Sequence, residues 1–373
     1  MLVASRAQLF KRNTIFRRLY SHFSNESKDA AQARIKYDMR SDTVTKPTPK
    51  MFERIFSAKV GDDVYGEDFS VIELEKRMAE LCGKEAGMFC ASGTMSNQIG
   101  ILANLSIPPF SILCDVNAHI NVYEAGGIAF HSRASTTAVK PANDKYLTLP
   151  EVKSNYIQDY DDVHCAPTRL ICLENTINGV VNGARLWNAS VEAGFSFKDI
   201  SQYFDSLSVC FSKGLGAPVG SILIGEKRFI HRARHLRKLF GGGTRAAFRR
   251  IDYEVKCNIV YNYRWRQAGI LAEAAQYCID NHLPLLKEDH KRAKALATEL
   301  EKLGIGFAHP VETNMVFADF SNTKLDAIKI AEAIEEAGVL IMPYSETVAR
   351  IVFHHQVGDD ASDIIISTLK RIL

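Results

Sequence analysis

Past residue 36, short apolar runs alternate along the chain with longer stretches whose apolar positions recur every three to four residues. A run of four or five apolar residues between turn formers fits a strand covered on both faces, and the longer period fits a helix with one buried face. The pattern predicts strands at Met88–Cys90, Ser111–Cys114, Leu170–Leu173, Ser208–Phe211 and Ser221–Ile224, with helices at Val71–Leu81 and Asn97–Leu105 among them. Such alternation defines an α/β layer fold with a mostly parallel sheet. The texture changes near His290, where "HKRAKALATELEKLG" reads as a helix stopped by Gly304. A strand at Met315–Phe320, a helix at Leu325–Ala337, strands at Val339–Met342 and Ala349–His354, and a last helix at Ala361–Leu373 follow. The expected organisation is a leader and linker over 1–36, a large α/β domain over 37–289 and a small α+β domain over 290–373.

With 373 residues, 46% of them hydrophobic, the chain has enough apolar surface for a substantial core. Its 46 Lys and Arg nearly balance 43 Asp and Glu. That balance removes the electrostatic ground for nucleic acid or a membrane surface as partner and favours a small soluble molecule. No apolar run is long enough to span a bilayer. The eight cysteines stand singly, without a C-x-x-C pair or a His at ligand spacing. They read as buried thiols in a reducing compartment, and no metal site is expected. Residues 1–25, "MLVASRAQLFKRNTIFRRLYSHFSN", carry Arg6, Lys11, Arg12, Arg17 and Arg18 with several Ser, and no acid occurs before Glu26. This is the composition of a mitochondrial transit peptide, with the matrix as destination; a cytoplasmic protein with a basic tail is the alternative.

Candidate chemistry centres on "VCFSKGLGAPVGSILIG" (209–225), where Lys213 ends an apolar run and precedes Gly, Ala and Pro. A Lys at the carboxyl end of a buried parallel strand points into the crevice where α/β sheets bind ligands. Held partly desolvated, it becomes a nucleophile able to capture a carbonyl, although most lysines at strand ends only reach for water. "FCASGTMSNQIGIL" (89–102) reads as strand, Ser92-Gly93-Thr94, then helix, so free backbone N–H groups face an anion such as a phosphate. An ordinary Ser-capped helix gives the same string. "CDVNAHINVYEAGG" (114–127) places His119 just after a strand, suited to stacking on a ring or handling a proton, or simply to a structural role. Arg185 in "NGARLWNAS" and Arg350 in "ETVARIVFHH" offer guanidinium groups that bind a carboxylate bidentately, or form surface ion pairs.

Nine blocks in order carry a family resemblance: "MRSDTVTKPTPKM" (39–51), "GDDVYGED" (61–68), "ASGTMSNQ" (91–98), "NAHINVYEAGG" (117–127), "LENTINGVV" (173–181), "GARLWNA" (183–189), "SKGLGAPVGS" (212–221), "GGGTR" (241–245) and "TNMVFADF" (313–320). Together they resemble the L-threonine aldolases, pyridoxal-phosphate enzymes of the aspartate-aminotransferase fold (fold type I), from Met39 to the C-terminus. The resemblance implies that Lys213 is the Schiff-base lysine, that Gly93 and Thr94 cradle the phosphate, and that His119 stacks on the cofactor ring. It makes His164 a second active-site histidine and sets Ser41, Arg185 and Arg350 on the substrate carboxylate. Arg245 or Arg266 would approach the phosphate across a subunit interface, in a homodimer or homotetramer. The implied reaction is retro-aldol cleavage of L-threonine or L-allo-threonine to glycine and acetaldehyde, with His119 or His164 taking the β-hydroxyl proton. A related β-eliminating lyase is the alternative among enzymes.

Two departures from the family pattern stand out. After "LENTINGVV" the family continues through a helix and a strand ending in His-hydrophobic-Asp-Gly-Ala-Arg, whereas here Val181 runs straight into Asn182-Gly183-Ala184-Arg185. Asn182 thus stands where the resemblance puts the Asp that pairs with the protonated pyridine nitrogen, and Asn carries no charge to hold that proton. Removing a strand from mid-sheet also takes ladder partners from both neighbours, so a gap, a register change or instability is expected, and with it a catalytically impaired form. The second departure is "AAFRRIDYEVKCNIVYNYRW" (246–265), inserted between Arg245 and the helix beginning "RQAGILAEAAQ". Both changes fall at motif boundaries, as an omitted exon and a retained intron would.

Overall fold

The computed structural model describes residues 34–143, 145–158, 163–174, 185–242 and 267–373. The basic leader, Asn182, Arg245, Arg266 and the 246–265 insertion lie outside the described residues. In chain order the strands are β1 (Tyr37–Asp38), β2 (Ala86–Cys90), β3 (Ser111–Asp115), β4 (Ser135–Val139), β5 (Thr168–Cys172), β6 (Leu207–Cys210) and β7 (Ser221–Gly225). Then come β8 (Gly306–Phe307), β9 (Met315–Asp319), β10 (Val339–Leu340), β11 (Met342–Pro343) and β12 (Val348–Val352). The main helices are α1 (Phe69–Cys82), α2 (Gly93–Asn104), α3 (Leu186–Ala193), α4 (Lys227–Leu239), α5 (Gly269–Asn281), α6 (Leu286–Lys302), α7 (Ala327–Glu336) and α8 (Ala361–Ile372).

The chain divides into a larger unit, Thr45–Lys287, and a smaller one that joins the segment ending at Val44 to Glu288–Leu373. In the larger unit β7 runs antiparallel to both β2 and β6, and β3 runs parallel to β4 and β5. These strands form two sheets of three, ordered β2-β7-β6 and β4-β3-β5, where the predicted fold has one continuous sheet. Among the described residues β5 and β6 each have a partner on one side only. The expectation that Lys213 follows a strand with parallel neighbours is corrected accordingly: among the described residues β6 pairs with antiparallel β7 alone. The register of β5 on β3 also shifts between Ser111 and Ile112. Whereas β3 is buried throughout, β5 leaves Ile171 40% exposed, followed by Leu173 at 50%. An apolar run composed for the middle of a sheet therefore ends up as an edge.

Helix α2 spans this division. Ile101 and Leu105 pack with Ile112 and Cys114 of β3 and with Leu170 and Cys172 of β5, while Ile99 and Ala103 pack with Met88, Cys90 and Leu223 of the other sheet. Ser96 adds polar ties, its Oγ lying 2.6 Å from Ser208 Oγ on β6 and 2.9 Å from Ser221 Oγ on β7. A third cluster, with Leu74 and Met78 of α1, Val209 of β6, Ile222 of β7, Trp187 of α3 and Ala275 of α5, fills the far side of the β2-β7-β6 sheet.

In the smaller unit β11-β12-β9-β8 form an antiparallel sheet, and β1 pairs in parallel with β10. The stretch from residue 37, which the sequence reading gives to the large domain, belongs here because Tyr37 and Asp38 pair with Val339 and Leu340. The apolar run Val339–Met342 serves two sheets, β10 facing β1 and β11 facing β12. Leu296 and Leu300 of α6, Ile330 and Ile334 of α7, and Ile365 and Leu369 of α8 cover this core.

Asp289, at the start of that core, is 1% exposed, and its Oδ2 makes no hydrogen bond among the described residues. Burial pushes its carboxyl up to about 7, opposed by Arg292 and reinforced by Asp42 and Glu288. The folded chain thus keeps a proton that the unfolded chain releases, so this site makes stability fall as pH rises from about 4 to about 7. Asp289→Asn is expected to flatten the decline of Tm between about pH 4 and about pH 7, recovering on the order of a few kcal/mol at the upper end. An unchanged slope in thermal unfolding would assign the titration to another group.

Candidate active site

Strand β6 runs from Leu207 to Cys210 and on through buried Phe211 to half-buried Lys213. The strand end is pinned from two directions. Trp187 Nε1 of α3 donates to the Cys210 carbonyl at 3.0 Å, and the Ala217 N–H returns to the Phe211 carbonyl at 3.0 Å, closing the loop that carries the lysine. Gly214 lets the Asn188 side chain approach the backbone next to Lys213, since an added Cβ would lie 2.5 Å from Asn188 Oδ1.

The N-terminus of α2 presses against the same strand end. Ser92 caps the helix by accepting the Met95 N–H at 3.1 Å. The Gly93 and Thr94 N–H groups precede the first intrahelical bond and point out of the helix end with its positive dipole. Only glycine fits at 93, because a Cβ there would stand 2.7 Å from Cys210 Sγ. Burial raises the Cys210 thiol, opposed by the positive charges of Lys213 and Arg185 and reinforced by Glu124. The α2 N-terminus thus meets this sulfur directly, and the charges of Lys213, Arg185 and Glu124 are close enough to be felt by it.

His119 opens a one-turn helix just beyond β3. Its Nδ1 lies 2.9 Å from Glu124 Oε1, and Glu124 also accepts from Asn97 Nδ2 at 2.7 Å and Gln98 Nε2 at 2.6 Å, both on α2. The His119 backbone N–H donates to Glu174 Oε2 at 2.8 Å, while Glu174 Oε1 makes no hydrogen bond among the described residues. Burial pushes the Glu174 carboxyl up to about 8, the Glu124 and Asp115 charges adding to the rise. Asp115, at the end of β3, is likewise raised by burial.

Of the residues singled out in the sequence, Lys213, Gly93, Thr94, His119 and Arg185 all belong to the larger unit, with Arg185 buried at the start of α3. Ser41 and Arg350 meet in the smaller unit, where Arg350 Nη2 donates to the Arg40 carbonyl at 2.9 Å, on the peptide leading into Ser41. His164 is not brought to His119. It precedes β5, which runs parallel to β3, whereas His119 follows β3, so a strand length of about 16 Å separates the two ends. Sequence reading missed Glu124, Glu174, Asn97 and Gln98. The signal available for Glu124 was a lone acid in "VYEAGG", five residues from a histidine at a strand end.

The parts present fit an aromatic aldehyde that carries a phosphate. Lys213 offers the amine, the glycine-opened end of α2 offers N–H groups to the phosphate, and His119 offers an imidazole fixed from behind. The position that would face the ring nitrogen, Asn182, lies outside the described residues.

A profile of the beta-eliminating lyase family matches residues 38–182 and 179–323, the two stretches meeting where "NGVV" runs into Asn182. The chain is 38% identical over 351 residues to a low-specificity L-threonine aldolase of Eremothecium gossypii, covering 88% of this chain and 85% of that protein. It is 42% identical to one from Candida albicans over 79% of this chain and 80% of that protein. Among solved structures, a threonine aldolase from Leishmania major superposes with a TM-score of 0.71 at 19% identity, over 90% of this chain and 99% of that one. The fold is that of the fold-type-I pyridoxal-phosphate enzymes, and the site is that of a lyase. The chain belongs to the L-threonine aldolase branch of the beta-eliminating lyase family.

Gly93→Ala is expected to weaken binding of pyridoxal phosphate by roughly tenfold or more, because the new methyl and Cys210 Sγ cannot share the space. The double variant with Cys210→Ala is expected to recover most of that loss, a coupling measured by absorbance titration of all four forms. Additive losses would show that the two positions do not touch.

Proposed function

We propose that the chain, loaded with pyridoxal phosphate, cleaves L-threonine and L-allo-threonine to glycine and acetaldehyde. The observation that carries this reading is the approach of the α2 N-terminus, at Gly93, to the end of the strand that presents Lys213. When bound, the cofactor supplies an electron sink for the pair released as the Cα–Cβ bond breaks. Lys213 would hold the aldehyde carbon, and the Gly93 and Thr94 N–H groups would hold the phosphate. Arg185 offers a buried guanidinium to the substrate carboxylate. Ser41 and Arg350, side by side in the smaller unit, have the same role by family resemblance. With His164 at the far end of β5, His119 is the group that takes the β-hydroxyl proton within one chain. The resemblance also supports a homodimer or homotetramer, with Arg245 or Arg266 reaching a neighbour's phosphate.

A second reading, that this chain folds and binds ligand with impaired turnover, is favoured by the division of the sheet between β5 and β6 together with Asn182 in the place of an acid. Purified protein mixed with pyridoxal phosphate is expected to develop a visible band that moves on addition of threonine, with glycine and acetaldehyde released in equal amounts. Lys213→Ala is expected to lose both the band and the products. Asn182→Asp is expected to raise kcat by at least about tenfold if the missing charge is what restrains turnover. A soluble, folded chain with no band would overturn the enzymatic reading, and pyruvate from serine would assign it to β-elimination.

The acid-free, basic composition of residues 1–25 supports import into mitochondria. A fluorescent protein fused behind residues 1–36 is expected to co-localise with mitochondria, and a diffuse cytoplasmic signal would reject import.

A further inference from the structure

The proton-handling role of His119 requires one ring nitrogen to be bare and aimed at the substrate, and the imidazole has two neutral tautomers that differ in which nitrogen that is. We propose that Glu124 is the positioning residue that makes this choice: its carboxylate locks His119 in the Nδ1–H form, leaves Nε2 as the proton acceptor, and fastens the ring to the helix whose N-terminus cradles the phosphate. The proposal rests on the aldolase reading for its catalytic consequence, while the tautomer itself is a property of the chain alone.

The geometry is specific. The Glu124 side chain is fully buried and receives three nitrogens: His119 Nδ1 at 2.9 Å and Asn97 Nδ2 at 2.7 Å on Oε1, and Gln98 Nε2 at 2.6 Å on Oε2. An ionised carboxylate accepts only, so the imidazole nitrogen facing it carries the hydrogen. The two amides come from consecutive residues of α2 and donate to both oxygens, holding the plane of the carboxylate and therefore the plane of the ring. The main chain at His119 is anchored as well, its N–H donating to Glu174 Oε2 at 2.8 Å. Near the pair also lie Glu174 and Asp115 from the ends of β5 and β3, the thiols of Cys172 and Cys210, and Tyr123, whose ring centroid lies 5.8 Å from that of His119.

The consequence reaches the cradle. Gly93 and Thr94 lie on the first turn of α2 and Asn97 and Gln98 on the second, so the helix that meets the phosphate also sets where the imidazole stands. A cofactor seated at one end would find the ring pre-placed at a fixed distance, without a separate ordering step.

The test uses the full chain labelled with nitrogen-15 in its histidines, with and without pyridoxal phosphate, the His119 signals identified by their loss in His119→Gln. The expected spectrum at mildly alkaline pH shows a protonated Nδ1 and a bare Nε2. In Glu124→Ala this signature should give way to a tautomer mixture or to the Nε2–H form. A wild-type spectrum with Nε2–H, or an unchanged tautomer in a folded Glu124→Ala chain, would overturn the proposal. In chains that turn over threonine, Glu124→Gln is expected to lower kcat roughly ten- to a hundredfold, the range for partners that orient a functional histidine. KM and cofactor affinity should stay within about threefold. Equal loss of kcat and cofactor affinity would instead mark Glu124 as merely structural. If wild-type chain shows the expected tautomer but no turnover, the aldolase reading fails and the assignment of Glu124 stands.

Discussion

One helix, α2, ties the two sheets that carry this site. Ser96 of α2 bonds to Ser208 and Ser221 on one three-stranded sheet, and its neighbours Asn97 and Gln98 bond to Glu124, which follows the other. The apolar face is shared in the same way, Ile99 and Ala103 going to one core and Ile101 and Leu105 to the other. Among the described residues no strand joins β5 to β6, and this helix ties the part that carries Lys213 to the part that carries His119. Buried hydroxyl and carboxylate contacts are well suited to that task, because each is directional and costly to leave unmade in a dry interior.

Much of the layout was legible in the chain's own pattern. Strands buried on both faces, such as β3 and β7, announce themselves as apolar runs, and α6 and α7 carry clear helical periods with a glycine or a capping Asp at an end. Strand β4 escaped because it is an exposed edge, "STTAV", with no apolar run to see. The splitting of Val339–Met342 between two sheets escaped because periodicity does not report which partner a residue pairs with. At the site, Lys213 and Gly93 were legible because their chemistry is written in the local string. Glu124 was not, since its meaning comes from α2, more than twenty residues away. His164 looked equivalent to His119 in sequence, and only the parallel pairing of β3 and β5 shows that the two stand at opposite ends.

The break in the sheet has a local physical signature as well as a topological one. Strand β5 has the composition of an interior strand, yet Arg169 and Ile171 are exposed and one row of its backbone groups lacks a ladder partner among the described residues. The composition of β5 and its placement therefore disagree, and such disagreement between local pattern and global arrangement is unusual away from functional or altered sites. It coincides with the point where the family match is interrupted.

The ties from Ser96 to Ser208 and Ser221 join residues 112 and 125 positions apart. Closing loops of that length costs conformational entropy, and contacts of long sequence separation slow folding. A cofactor held between the α2 N-terminus and the end of β6 would therefore bind the finished molecule and not the unfolded chain. Its binding free energy goes wholly to the native state, as RT ln(1 + [L]/Kd), so cofactor supply would govern how much of this chain survives in a cell as well as how much of it is active.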